Sequence, residues 1–226
     1  MDKGLRLLTL ALVLIVLALV VYNSTAPPEC PREASLAIVR VEMEHSGWRG
    51  KQRGGGSGVV ISKRRVLTVC HVVDAGELTG IVAVDADGVE THYVARVVTK
   101  DPETDLALLE TSSDLPESIV LGVDAAAELA EYAPIWAVGA ACLESPHTRT
   151  RGEFISRRST WDENRWVGTA CVAGGHSGGA VLDCNGWLIG IITAADDTGT
   201  VFCFVPMHRI VEFLAENPEP VAEAQE

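Results

Sequence analysis

A serine enclosed by glycines, Gly174-Gly175-His176-Ser177-Gly178-Gly179-Ala180, carries the strongest chemical signal in the chain. Glycines on both sides let a loop turn tightly, so that the hydroxyl projects and successive backbone N–H groups converge on one point. Such N–H groups can hold the oxyanion of an acyl-transfer intermediate. A serine hydroxyl is a weak nucleophile and needs an adjacent base. His71 stands inside the apolar run Val66-Leu67-Thr68-Val69-Cys70-His71-Val72-Val73, where a histidine taken alone reads first as a core side chain. Asp105 opens the apolar run 106–109, a place where a carboxylate needs a partner. Asp101, just before Pro102, reads as turn chemistry instead.

Taken together the three groups say more than any one. Their chain order is His, Asp, Ser, that of the chymotrypsin arrangement, whereas other folds carry the same triad in other orders. The separations are 34 residues (71 to 105) and 72 residues (105 to 177). The first suits a His and an Asp in one barrel, the second a Ser in the next.

The segments GSGVVIS, VLTVCHVV, TDLALLE, GGHSGGAVLD and GWLIGIIT resemble the trypsin-like serine proteases of the HtrA (Deg) group. The resemblance spans about residues 35–214 and implies a peptide-bond hydrolase with its active site between two six-stranded β-barrels. By motif, His71 is then the general base, Asp105 its orienting carboxylate and Ser177 the nucleophile, with Gly175 and Ser177 supplying the oxyanion-hole N–H groups. Cys171 and Val172 fall at the base and wall of the specificity pocket, with Cys203 at its floor. Ile192, Thr193 and Ala194 form the facing wall and the backbone ladder for substrate. No carboxylate stands at positions 171 or 172, so a small or medium aliphatic residue such as Val or Ala is expected before the scissile bond. Asp196-Asp197 could reverse that preference by folding inward, though Thr198-Gly199 beside them favours a solvated turn. Two departures from the group stand out: His176 replaces the usual Asn or Asp before the serine, and Cys70 replaces a small residue before the histidine.

These residues must be held by strands. Short apolar alternating runs recur from Leu36 onward, at 58–62, 66–69, 80–85, 92–99, 106–110 and 135–138, then at 152–156, 167–170, 180–183, 187–193 and 200–205. Asp87-Gly88 and Asn185-Gly186 are hairpin turn signals between them. About a dozen short strands predict an all-β protein. One helix is predicted at 206–216, where Met207, Ile210, Val211 and Leu214 share a face and Pro206 suits the first turn.

Residues 5–21 are apolar except for Arg6 and Thr9, just long enough to cross a bilayer of about 30 Å. Lys3 and Arg6 precede the run, which predicts a cytoplasmic N-terminus and an exported remainder, periplasmic or extracellular. A cleaved signal peptide ending near Ala26 is the rival reading; the length favours an uncleaved anchor. The expected organisation is therefore a cytoplasmic stub (1–4), a membrane signal-anchor (5–22), a linker (23–34), a protease domain (35–215) and an acidic disordered tail (216–226). Within the domain, barrel one covers about 35–118, barrel two about 130–205 and the helix 206–215, with no PDZ domain following.

The net charge is −13 and no long Lys/Arg run exists, which excludes nucleic acid as a partner. The basic clusters Arg49-Lys51-Arg53 and Lys63-Arg64-Arg65 read as solvated loops and strand ends. Six cysteines without CxxC, and no His at zinc-finger spacing, argue against a metal site. In an exported domain they permit up to three disulfides; small buried thiols are the alternative. No cofactor is needed. Expected partners are polypeptide substrates, exported or misfolded, and the membrane, with a homo-oligomer left open. The competing functional reading is a catalytically silent binding module of the same fold; a complete set of His71, Asp105 and Ser177 favours the enzyme.

Overall fold

The structure, a computed structural model, describes residues 32–47, 50–140 and 147–218. The expected membrane segment at 5–22, most of the linker, most of the acidic tail, Cys30 and Cys142 lie outside these residues. Among the described residues no helix is long and apolar enough to cross a membrane.

After a short helix α1 (Arg32–Leu36), the first half is built from β1 (Ile38–Gly47), β2 (Gly50–Ser62), β3 (Arg65–Val69), β4 (Glu77–Val84), β5 (Glu90–Tyr93), β6 (Ala95–Asp101) and β7 (Leu106–Thr111), with the single helical turn α2 (Cys70–Val73) following β3. In β1, Val39, Val41 and Met43 point inward while Arg40, Glu42 and Glu44 face the outer side, the period of two that a half-buried strand requires. β7 breaks this alternation: Leu106, Ala107, Leu108 and Leu109 are all buried, because this strand is covered on both faces.

These strands form one antiparallel sheet in the order β5–β4–β1–β2–β3–β7–β6. That corrects the expected six-stranded barrel, since seven strands are present and the two edge strands are not hydrogen-bonded to each other. The cause is local. The run 92–99 is interrupted at Val94, which is exposed, so Tyr93 pairs with Ile81 of β4 while Ala95 pairs with Thr111 of β7. One expected strand becomes two edges of a curled half-barrel. The Asp87-Gly88 turn forms as read, with Asp85 Oδ1 accepting the N–H groups of Asp87 and Val89.

After helix α3 (Val123–Ala127), the second half comprises β8 (Pro134–Gly139), β9 (Thr148–Ser156), β10 (Trp166–Thr169), β11 (Ala180–Leu182), β12 (Leu188–Ala195) and β13 (Val201–Pro206). They close into a six-stranded barrel, β10–β13–β12–β11–β8–β9, with β9 pairing back to β10. Closure leaves no long exposed edge. Its interior holds Phe154, Trp166, Phe202 and Phe204, with Phe154 and Trp166 ring centroids 5.3 Å apart. The Asn185-Gly186 turn joins β11 to β12, capped by Asp183.

The terminal helix α4 (Met207–Glu216) starts one residue later than expected, because Pro206 ends β13 with an extended backbone and serves as the N-cap. Its buried face is Met207, Ile210 and Phe213, whereas Val211 is exposed. The apolar stripe is thus rotated from the one expected. A second correction concerns Arg65, read as solvated but in fact buried. Its guanidinium donates to the carbonyls of Asn217 (2.7 Å) and Pro218 (3.0 Å), tying β3 to the chain beyond α4. The thiols of Cys70, Cys171, Cys184 and Cys203 are all free, so three disulfides do not form.

Candidate active site

The pairing register of β3 and β7 brings the first two groups together. Val69 lies opposite Leu106, so the residues just beyond them, His71 in the first turn of α2 and Asp105 at the mouth of β7, meet at the rim of the sheet. His71 Nδ1 donates to Asp105 Oδ2 at 2.8 Å, and the His71 backbone N–H donates to Asp105 Oδ1 at 3.1 Å. Both carboxylate oxygens are therefore committed to His71. Asp105 holds a left-handed backbone, φ 56°, and its carbonyl accepts the Cys70 N–H at 3.0 Å. An aspartate tolerates this region better than most residues, and strain of this kind gathers at functional sites. The Asp105 side chain is 20% exposed and the imidazole 47%, so the ring can be reached from solvent while its partner is more shielded.

Asp101 does what turn chemistry predicts. It accepts the Glu103 N–H and the Thr104 hydroxyl at 2.6 Å, and the Thr104 bond holds its carboxyl below the usual range.

Ser177 belongs to the loop that enters β11. Gly178 N–H donates to the Ile192 carbonyl and Ile192 N–H to the Gly179 carbonyl, fastening the loop to β12. Gly175 and Gly178 take φ values of 96° and 83°, open at low cost only to glycine. A Cβ on Gly178 would stand 2.1 Å from the Ser57 carbonyl oxygen. Among the described residues no acceptor takes the N–H groups of Gly175 and Ser177, which leaves both donors available. The Ser177 hydroxyl lies 3.5 Å from the Thr193 carbonyl and makes no hydrogen bond to His71.

Ser57, which the sequence reading did not single out, connects the two halves. Fully buried in β2, it donates its N–H to the Ser177 carbonyl (2.8 Å) and its hydroxyl to the Gly175 carbonyl (2.6 Å). It also accepts the Ala140 N–H on Oγ (2.9 Å) and the Thr68 hydroxyl on its carbonyl (2.7 Å). The only signal available was a lone hydroxyl within the glycine run 54–58.

His176 is buried with Nδ1 3.1 Å from both the amide nitrogen and the carbonyl oxygen of Ala173, while Nε2 has no partner among the described residues. Burial pushes its pKa down, keeping the ring neutral. The ring packs on Gly139, where an added Cβ would come within 2.9 Å of Cδ2.

Of the residues expected to bind substrate, Val172, Ile192 and Thr193 are buried, and Cys171 and Ala194 are exposed. Val172 N–H donates to the Gly199 carbonyl, and the Cys171 carbonyl accepts the Thr150 hydroxyl. A bulge in the β12–β13 ladder falls at Thr193, between the pairs Ile192–Phe204 and Ala194–Cys203. Cys203 Sγ lies 3.1 Å from Ser159 Oγ in an apolar pocket shared with Trp161 and Val201, a lining that includes neither Cys171 nor Val172. Burial, the larger effect, raises the pKa of that thiol. Asp196 turns back on its own loop, accepting from Thr198, Thr200 and Val201, and these bonds hold its carboxyl low.

A half-barrel and a closed barrel that present a His–Asp pair and a glycine-bounded serine at their junction define the class of trypsin-like peptidase folds. The chain belongs to the trypsin-like peptidase domain family, whose pattern matches residues 56–191. It is 35% identical over 164 residues to a "probable periplasmic serine protease do/HhoA-like" of Haemophilus influenzae, covering 67% of this chain and 34% of that protein. It is also 30% identical over 156 residues to "serine protease Rv3671c" of Mycobacterium tuberculosis, covering 65% and 38% respectively. The chain thus spans little more than a third of the length of these curated relatives.

Proposed function

We propose that this protein is a serine endopeptidase that hydrolyses exported or misfolded polypeptides on the outer side of a membrane. The observation that carries the reading is the His71–Asp105 bond at 2.8 Å, together with a serine loop whose Gly175 and Ser177 N–H groups have no acceptor among the described residues. His71 Nδ1–H is held by Asp105, which fixes the tautomer with Nε2 free to accept. Nε2 takes the Ser177 proton as Oγ attacks the scissile carbonyl. The oxyanion forms against the N–H groups of Gly175 and Ser177. The imidazolium then protonates the leaving amine, and water attacks the acyl-enzyme with the same base assisting. Ser177 Oγ rests on the Thr193 carbonyl in the free protein; catalytic hydrogen bonds are often long or poorly aligned before substrate binds.

On this reading substrate adds as a strand to the open edge of β12 beyond Ile192, along Thr193 and Ala194. The side chain before the scissile bond meets Val172 and Ile192, with Cys171 at the rim. With Asp196 engaged in its own turn, that pocket is uncharged and suits Val or Ala. An anchor at residues 5–22 would hold the domain outside the cytoplasm, and the word "periplasmic" in the name of the Haemophilus relative supports that side. Ser177→Ala should lower peptide hydrolysis by about 10⁴–10⁶-fold with the fold intact. Activity near that of the parent would reject the assignment, and a silent binding module would show none in either protein.

A further inference from the structure

Beside the oxyanion loop lies a cavity of ≈ 370 Å³ that the proposed mechanism does not use. It is bounded by Gly174 and Gly175 on one side and by Arg40, Glu42, Arg53 and Gly55 of the β1–β2 hairpin on the other. Its position follows from the cleft. If the acyl portion of a substrate lies along Thr193 and Ala194, the leaving portion must pass the opposite flank of Ser177. There Ser57 N–H binds the Ser177 carbonyl and fixes β2 against the loop. Register shapes the floor: Glu42 lies opposite Gly55 and Glu44 opposite Arg53, so the absence of a side chain at position 55 opens a slot between charged neighbours.

The charges around the slot are unequal in their commitments. Arg40 is bonded to Glu42 (3.2 Å) and Glu90 (3.0 Å), and His92 stands 4.0 Å from Glu42. Glu44 is bonded to Lys51. Among the described residues Arg53 makes no ion pair or side-chain hydrogen bond, although it lines the slot. A guanidinium left without a partner presents a fork of donors matched to a carboxylate.

We propose that this slot receives the first two residues of the leaving fragment and, through Arg53, selects a carboxylate there. The inference rests on the hydrolase reading above and names a substrate feature that reading leaves open. The carboxylate has two sources, an acidic side chain or the free C-terminus of a substrate that ends within two residues of the scissile bond.

The experiment measures kcat/KM of the full chain on matched peptides. One set carries Glu, Gln or Lys at the second position of the leaving fragment. Another ends at that position as a free acid or an amide. Fluorophosphonate labelling, which uses no leaving fragment, is measured in parallel on each protein. The parent should favour the carboxylate about three- to tenfold over its neutral counterpart, in the range of a partly exposed charge-assisted bond. That ratio should fall to about one in Arg53→Gln, and in Arg53→Glu the preference should turn toward Lys. Whichever peptide set carries the effect identifies the source. A protein that labels and cleaves but ignores both the carboxylate and Arg53 overturns the subsite and leaves the hydrolase reading standing. A parent that neither labels nor cleaves overturns both.

Discussion

At the scale of single residues, the account rests on which side chains act and which hold them in place. His71, Asp105 and Ser177 stand out in the sequence as candidates because each sits where its chemistry is out of place: a base among apolar residues, an acid opening a strand, a hydroxyl among glycines; the structure pairs the first two. Ser57 was not legible, since its importance comes from partners 118 and 83 residues away. Ser57→Ala would leave the Gly175 carbonyl and the Ala140 N–H without their bonds, the first half-buried and the second buried. We expect kcat to fall about tenfold with KM nearly unchanged, because the loss bears on the loop that shapes the oxyanion site. Ser57→Thr, which keeps the hydroxyl, should recover part of the rate. Steady-state kinetics on a neutral peptide checks both variants.

At the scale of elements, the proposed nucleophile loop and β12 are the parts whose stability and preference can be tested. His176 sits under that loop as a neutral ring whose pKa burial has lowered. The unfolded chain therefore binds a proton at a higher pH than the folded one. Stability should be at its plateau above about 6.5 and decline as pH falls toward the folded pKa. His147, also lowered by burial, contributes in the same direction. Denaturant midpoints between pH 7.5 and pH 5 should fall, and His176→Asn should flatten that slope without abolishing it. An equal slope in parent and variant would remove His176 from the explanation. For β12, cleavage of a peptide library should be strongest after Val or Ala, while dominant cleavage after Lys or Arg would show that the pocket is misread. Most strands were visible through alternation, but the polar first half of β2 was not, because its exposed residues carry no apolar period. The β5–β6 break at Val94 was equally hidden, since two edge strands with different partners look like one run in sequence.

At the scale of the whole molecule, groups from two structural halves lie on either side of their junction: a His–Asp pair on the seven-stranded sheet and a serine loop of the closed barrel, which is bonded to that sheet through Ser57. The all-β class followed from the strand count, and the two-part organisation from the family resemblance, with which the triad spacing agrees. The half-barrel did not, because sheet closure depends on which edges meet rather than on any run of residues. Arg65 was misread for a related reason, since nothing local indicates that β3 passes beneath the chain end beyond α4. Arg65→Met should lower stability by about 1–3 kcal/mol, as two carbonyls lose a charged donor, with the denaturant midpoint shifting and its slope retained. The proposed placement outside the membrane is checked by fractionation followed by N-terminal sequencing; a soluble form beginning near Pro27 would replace the anchor with a cleaved leader. The central claim is that the two halves assemble an activated serine, and covalent labelling by a fluorophosphonate tests it most directly. The account predicts stoichiometric labelling at Ser177, abolished in Ser177→Ala and slowed by several orders of magnitude in His71→Ala. A folded parent that stays unlabelled, or labelling that persists in Ser177→Ala, would contradict it.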